Sequence, residues 1–106
     1  MKNMRDLNKL MKQAQAMQSK MAALSEEVGE REVTATAGGG MIEVVANGRH
    51  ELKSIKLKPE IVNPEEVDML EDLILAAVNE ALKKAQDMVN QEMQKIAGGM
   101  SIPGLF

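Results

Sequence analysis

One long stretch of the sequence limits what this chain can fold into. Residues 63–97 are predicted to form a single helix, because apolar residues recur there in steps of three and four. Asn63 is a candidate N-cap and Pro64 suits the first helical position, so we expect a short opening turn before the main helix begins near Asp68. Between residues 69 and 78 the apolar side chains extend nearly all round the helix. Such a helix needs cover on more than one side.

A second helix is predicted from Met1 to about Val28, with Gly29 as its end. Its apolar residues alternate in steps of three and four, which is a heptad pattern and predicts pairing with another helix. This apolar seam consists of Leu7, Leu10, Ala14, Met17, Met21, Leu24 and Val28.

Charge is distributed unevenly along the chain. The formal net charge is −3, yet residues 1–20 carry five basic residues against one acid, whereas residues 60–72 carry six acids and no base. Four of the basic residues step by three, four and three along one helix face, and we call this row the basic stripe: Lys2, Arg5, Lys9 and Lys12. It is either the solvated side of an amphipathic helix or a surface that follows the phosphates of a nucleic acid.

The middle of the chain shows the two-residue alternation of β-strands. Three strands are predicted, over residues 31–37, 41–46 and 49–58, with Val33, Ala35 and Ala37 on one face of the first. The glycines at 38–40 are predicted to form the first connection, and a nucleotide-binding loop is disfavoured because no Lys-Ser/Thr pair follows them.

The second connection and the third strand carry three further signals. Asn47-Gly48 is a strong hairpin signal. Leu52, Ile55 and Leu57 depart from strict alternation by one residue, which predicts a β-bulge near Lys53-Ser54. Pro59 should end the strand.

The predicted fold class is therefore α+β: a helix, a three-stranded antiparallel meander and a long helix (α-β-β-β-α). Strands of this length span roughly 25–30 Å, whereas a helix of about thirty residues reaches roughly 45 Å. Either the two helices pair beyond the sheet or a second copy covers them, and we expect a homodimer with projecting helices. Residues 1–97 should form a single domain, followed by a flexible tail at 98–106.

Enzymatic chemistry is not expected. The chain has no cysteine and one histidine, His50, which we place as an exposed polar strand residue just past the hairpin turn. Glu71 and Asp72 are interpreted as helix N-terminal acids rather than a catalytic pair. We expect no cofactor, no metal site, no small-molecule substrate and no membrane association, and a cytoplasmic location.

The segment AGGGMIEVVANGRHELKSIKLKPEIV, followed by EEVDMLEDLILAAVNEALKKA, resembles the YbaB/EbfC family of bacterial nucleoid-associated proteins. The resemblance covers essentially the whole chain. It implies a tweezers-like homodimer whose arms are the first and last helices. It also implies non-enzymatic binding of double-stranded DNA on the nucleoid, with a role in nucleoid organisation and gene regulation.

Carried over to this sequence, the resemblance implies that DNA contacts come from the basic residues of the two arm helices, namely Arg5, Lys9, Lys12, Lys83 and Lys84. The last two have a plainer interpretation as i,i+4 partners of Glu80 and Asp87. The alternative function is a helical protein–protein interaction module without direct DNA binding, which the overall acidity and the scarcity of aromatic residues for stacking favour.

Overall fold

The computed structural model describes residues 3–99, and it confirms the predicted order of elements. The elements are helix α1 (Asn3–Glu30), strands β1 (Glu32–Ala37), β2 (Ile42–Asn47) and β3 (Leu52–Leu57), and helix α2 (Val67–Gly99). Two short 3-10 turns, Pro59–Ile61 and Pro64–Glu66, precede α2. The side chain of Asn63 accepts a hydrogen bond from the backbone N–H of Glu65 at 3.0 Å, which confirms the predicted cap and opening turn.

The three strands form an antiparallel meander in the order β1-β2-β3. Ala35, Ile42, Val44 and Ala46 are buried on the face that α2 covers, as the alternation predicts. Val45 pairs with Ser54 and Ala46 with Leu52, so Lys53 is the extra residue of a β-bulge at the predicted position.

Helix α2 lies close to the sheet because its contact residues are small. Ala77, Ala81 and Ala85 are completely buried, and they pack with Ile42 and Val44 in the core. A larger side chain at any of the three alanines would force the helix away from the strands. The close approach fixes which strands α2 covers.

Strand β3 lies beyond the cover of α2. Leu52, Ile55 and Leu57 pair with Ala46, Val44 and Ile42, so they share the face that α2 covers over the other two strands. They nevertheless remain 43%, 45% and 37% exposed. An apolar face on an edge strand is thus left open to water.

The long helix has an exposed apolar side chain on the side away from β1. Lys84 of α2 reaches β1, where its Nζ donates a hydrogen bond to the backbone oxygen of Thr34 at 3.1 Å. Leu75 precedes Lys84 by nine residues, which is two and a half turns, so it lies on the side of α2 opposite Lys84 and β1. Leu75 is 59% exposed. We refer to Leu52, Ile55, Leu57 and Leu75 as the apolar trough.

The structure corrects the prediction for His50. The connection between β2 and β3 includes His50, which is exposed, has φ 63° and lies within the turn rather than in the strand. The cause is the side-chain oxygen of Asn47, which accepts hydrogen bonds from the backbone N–H groups of Arg49 and Glu51 at 3.0 and 3.1 Å. These two bonds favour a loop wider than a two-residue turn.

Helix α1 ends at Glu30, one residue beyond the predicted end at Gly29. Gly29 is buried where α1 meets the β2–β3 connection, and a Cβ on it would lie 3.1 Å from Cγ of Arg49. Its small size therefore serves a helix–loop contact rather than helix termination. At the other end of the chain, α2 continues through Gly98 and Gly99. Residues 100–106 of the predicted tail lie outside the described residues.

We expect Gly48→Ala to lower the free energy of unfolding by about 2 kcal/mol, because overpacking against backbone cannot be relieved by a rotamer change. A Cβ on Gly48 would lie 2.2 Å from the backbone oxygen of Val28. Gly39→Ala is the matched control: nothing lies within 4 Å of its Cβ, and only its φ of 68° opposes alanine. Urea unfolding at one fixed protein concentration measures both changes. Equal free energies of unfolding for Gly48→Ala and wild type would contradict the close approach of Gly48 to the backbone of Val28.

Candidate nucleic-acid interface

Helix α1 projects from the body of the subunit. Every side chain from Met4 to Ala23 is exposed, and the molecule measures 81 × 24 × 16 Å along its principal axes. Val28, which is 3% exposed, marks the point where α1 joins the body. Arg5 is 23 residues before it, about 34 Å along the helix. We call residues 4–23 the α1 arm.

The apolar seam has no partner along most of the arm. The exposed fraction of its side chains rises from 3% at Val28 to 37% at Met21, 49% at Met17 and 61% at Leu10. A helix of this length with a seam open to water gains little from burial within its own subunit. Any cover for this part of the seam would have to come from outside the described part of the subunit.

The described members of the basic stripe, Arg5, Lys9 and Lys12, are all exposed on the arm. Steps of four and three residues keep their side chains on one face of α1. Ala14 of the apolar seam is nine residues from Arg5, so the seam and the stripe lie on opposite sides of the helix. Cover on the seam would leave the stripe facing water.

The stripe is also free of internal ion pairs. Within residues 3–99 the ion pairs involve Arg31, Arg49 and Lys95, and none involves the stripe. The N-terminus of α1 lies at the outer end of the arm, where the helix dipole adds to the positive potential. These three cations are available to an external anion.

The structure does not bring Lys83 and Lys84 together with the stripe. Ala81 and Ala85 are fully buried against the sheet, so this part of α2 lies on the body and not on a projecting arm. Lys84 bonds to Thr34 of β1, and Lys83 is exposed. Neither lysine forms an ion pair with Glu80 or Asp87 among the described residues. The buried alanines on either side were the sequence signal for this placement.

Comparison with known proteins decides the family. The sequence profile of the YbaB/EbfC DNA-binding family matches residues 2–100. The chain belongs to this family. The resemblance noted in the sequence is thereby confirmed for nearly the full length of the chain.

Relatives of this YbaB/EbfC family member are similar along almost their whole length. A protein of Pelotomaculum thermopropionicum named "Nucleoid-associated protein" is 60% identical over 101 residues, covering 95% of this chain and 96% of its own. One of the same name from Moorella thermoacetica is 58% identical over 101 residues, covering 95% and 97%. The crystal structure of an uncharacterised Helicobacter pylori protein shares the fold, with a TM-score of 0.57 and 23% identity over 83% of this chain and 98% of that one.

The acidic pair singled out in the sequence lies on the surface of α2. Glu71 and Asp72 are exposed in the early turns of α2, as expected for helix N-terminal acids. Within residues 3–99, no group of three or more His, Asp or Glu side chains is arranged to hold a metal ion. None of the helices in that range is both long enough and apolar enough to cross a membrane.

Proposed function

We propose that the chain acts as a homodimer that binds double-stranded DNA, with Arg5, Lys9 and Lys12 of each α1 arm contacting phosphates. The observation that carries the proposal is the unpaired basic stripe on a projecting helix of an otherwise acidic chain, whose net charge is −3. Membership of a DNA-binding family and relatives named nucleoid-associated proteins support it. Lys83 and Lys84 are secondary candidates, because they lie on the body.

The proposed dimer uses the apolar trough. The four apolar side chains of the trough are between 37% and 59% exposed, and three of them lie on an edge strand, which is a surface that a partner can cover. In the apolar trough, β3 supplies three side chains and α2 supplies Leu75. Two copies related by a twofold axis can therefore pack so that Leu75 of each subunit contacts β3 of the other. The second copy is therefore the proposed occupant. Each subunit then keeps its own projecting arm.

The proposed contacts are with the DNA backbone rather than with bases. Lysine and arginine on one helix face supply positive charge, and the chain has one aromatic residue for stacking. Such contacts fix a protein on a duplex without reading its sequence. Binding of this type would place the protein on the nucleoid in the cytoplasm, where it would organise DNA and influence transcription broadly.

Binding of wild-type protein to two unrelated duplexes over a range of salt concentrations tests the proposal. Three contacts from each of two arms predict a slope of about −5 in a plot of log affinity against log salt concentration. The two duplexes should bind with similar affinity, measured by fluorescence anisotropy. Lack of binding at low salt, with the dimer intact, would contradict the proposal.

The exposed apolar seam favours a second candidate, a helical module that binds another protein. Leu7, Leu10 and Met17 are 55%, 61% and 49% exposed on the arm, and a partner helix could cover them. The salt series separates the two functions. An intact dimer that does not bind DNA at low salt would favour the interaction module.

A further inference from the structure

The base of the α1 arm is joined to the body without a linker. Arg31 is the single residue between α1 and β1. Its backbone N–H donates to the oxygen of Val28 at 3.2 Å, and its own oxygen accepts a hydrogen bond from the N–H of Gly48 at 3.1 Å. Val28 and Gly29 are buried at the same place. The arm therefore leaves the body from a fixed backbone junction.

The side chain of Arg31 adds a contact to α2. Its guanidinium lies 2.9 Å from the carboxylate of Glu92, which is 18% exposed, and 3.5 Å from that of Glu27, which is 63% exposed. Glu92 also lies 3.3 Å from Lys95. The Arg31–Glu92 pair is thus the shorter of the two ion pairs and joins the base of the arm to α2, with Glu92 18% and Arg31 45% exposed. Glu27 is a looser partner within α1.

A small rotation at this base has a large effect at the end of the arm. Arg5 lies about 34 Å from Val28 along α1, so a rotation of about 10° would move it by about 6 Å. Successive base pairs advance about 3.4 Å along each DNA strand. A movement of about 6 Å would therefore carry the Arg5 side chain past nearly two phosphates. The direction of the arm must be held closely if the basic stripe is to meet a duplex.

We propose that Arg31 and Glu92 are positioning residues for DNA binding: the ion pair fixes the direction of the α1 arm, and neither side chain contacts DNA. This inference rests on the proposed function. It predicts an effect opposite in sign to simple electrostatics. Removing the negative charge of Glu92 should weaken binding to DNA, although the protein becomes less acidic.

Glu92→Gln and Glu26→Gln provide the matched comparison. Both remove one negative charge near the base of the arm, but Glu26 is exposed and makes no ion pair within residues 3–99. We expect Glu92→Gln to weaken duplex binding roughly fivefold, whereas Glu26→Gln should bind slightly more tightly than wild type because repulsion of the phosphates is reduced. Exchanging the charges in Arg31→Glu with Glu92→Arg should restore part of the affinity: the pair forms again, but Glu27 and Lys95 each then lie beside a like charge. Tighter binding by both single variants would overturn the inference.

A distance measurement tests the positioning role without DNA. The chain contains no cysteine, so Gln13→Cys on the arm and Thr36→Cys on β1 accept spin labels at two defined sites. Labelled chains diluted with unlabelled protein should give a narrow distance distribution, which Glu92→Gln broadens and the charge exchange narrows again. An unchanged distribution in Glu92→Gln would overturn the positioning role. Failure of wild-type protein to bind any duplex would instead reject the proposed function and, with it, the claim that the fixed arm serves DNA binding.

Discussion

Replacing Lys9 and Lys12 together by glutamate is expected to weaken duplex binding about a thousandfold at low salt, because a dimer loses four phosphate contacts and gains four repulsive charges. The slope of log affinity against log salt concentration should also become shallower by about four. Both lysines are exposed on the α1 arm, opposite the apolar seam, so the fold and the dimer should be unaffected. Fluorescence anisotropy measures the affinity, and circular dichroism checks the helix content.

The comparison variant replaces Lys83 and Lys84 by glutamate, which changes the net charge by the same amount. Both lysines lie on the body, Lys84 beside β1 and Lys83 on the outward face of α2, so we expect a loss of about tenfold, from the long-range field alone. The difference between the two double variants separates contact from general charge. Equal losses would show that net charge, and not the arm, controls affinity.

Leu75→Glu is expected to weaken the proposed dimer by about 4 kcal/mol, or about a thousandfold in its dissociation constant, because a charge would replace an apolar side chain in the trough. Leu75 is 59% exposed in the single subunit, so the fold of each chain should persist. Light scattering after gel filtration should detect a monomer at micromolar concentration. Duplex binding should weaken as well, because one arm lacks the gain from simultaneous attachment of two.

Ala76→Glu is the control for this change. Ala76 is exposed on α2 and is seven residues before Lys83, so the two share the outward face of the helix, away from the trough. Ala76→Glu introduces the same charge one position along the chain from Leu75, and the variant protein should remain dimeric. Dissociation of both variants, or of neither, would contradict the assignment of the trough as the dimer surface.

The sequence predicted those parts of the fold that depend on local pattern. Alternation gave the buried face of β2, and the one-residue break near Lys53 located the bulge. Asn63 and Pro64 located the opening turn of α2. Each of these features is decided by residues close together in the chain, so that periodicity and turn chemistry are sufficient.

Features decided by contacts distant in the chain were not predictable in the same way. Gly29 was expected to end α1, but its size serves the contact with Arg49 across the junction. The conformation of His50 follows from two hydrogen bonds to the side chain of Asn47. The Asn-Gly pair predicts a two-residue turn and gives no indication of these bonds. The placement of Lys84 depends on how far α2 extends over the sheet. The Arg31–Glu92 pair joins residues 61 positions apart and leaves no local signal.

The candidate site was predictable to a different extent. Periodicity placed Arg5, Lys9 and Lys12 on one face of a helix, and the excess of helix length over strand length indicated that it projects. Only the structure shows which face of α1 remains open to water. The exposure of the seam and the position of the junction depend on how α1 meets α2 and the β2–β3 connection.

Sedimentation equilibrium of the wild-type chain at micromolar concentration tests the account most directly, because two arms act on one duplex only if two subunits associate. The account predicts a single species with twice the chain mass of 11.6 kDa. A species of 11.6 kDa across the concentration range would contradict it.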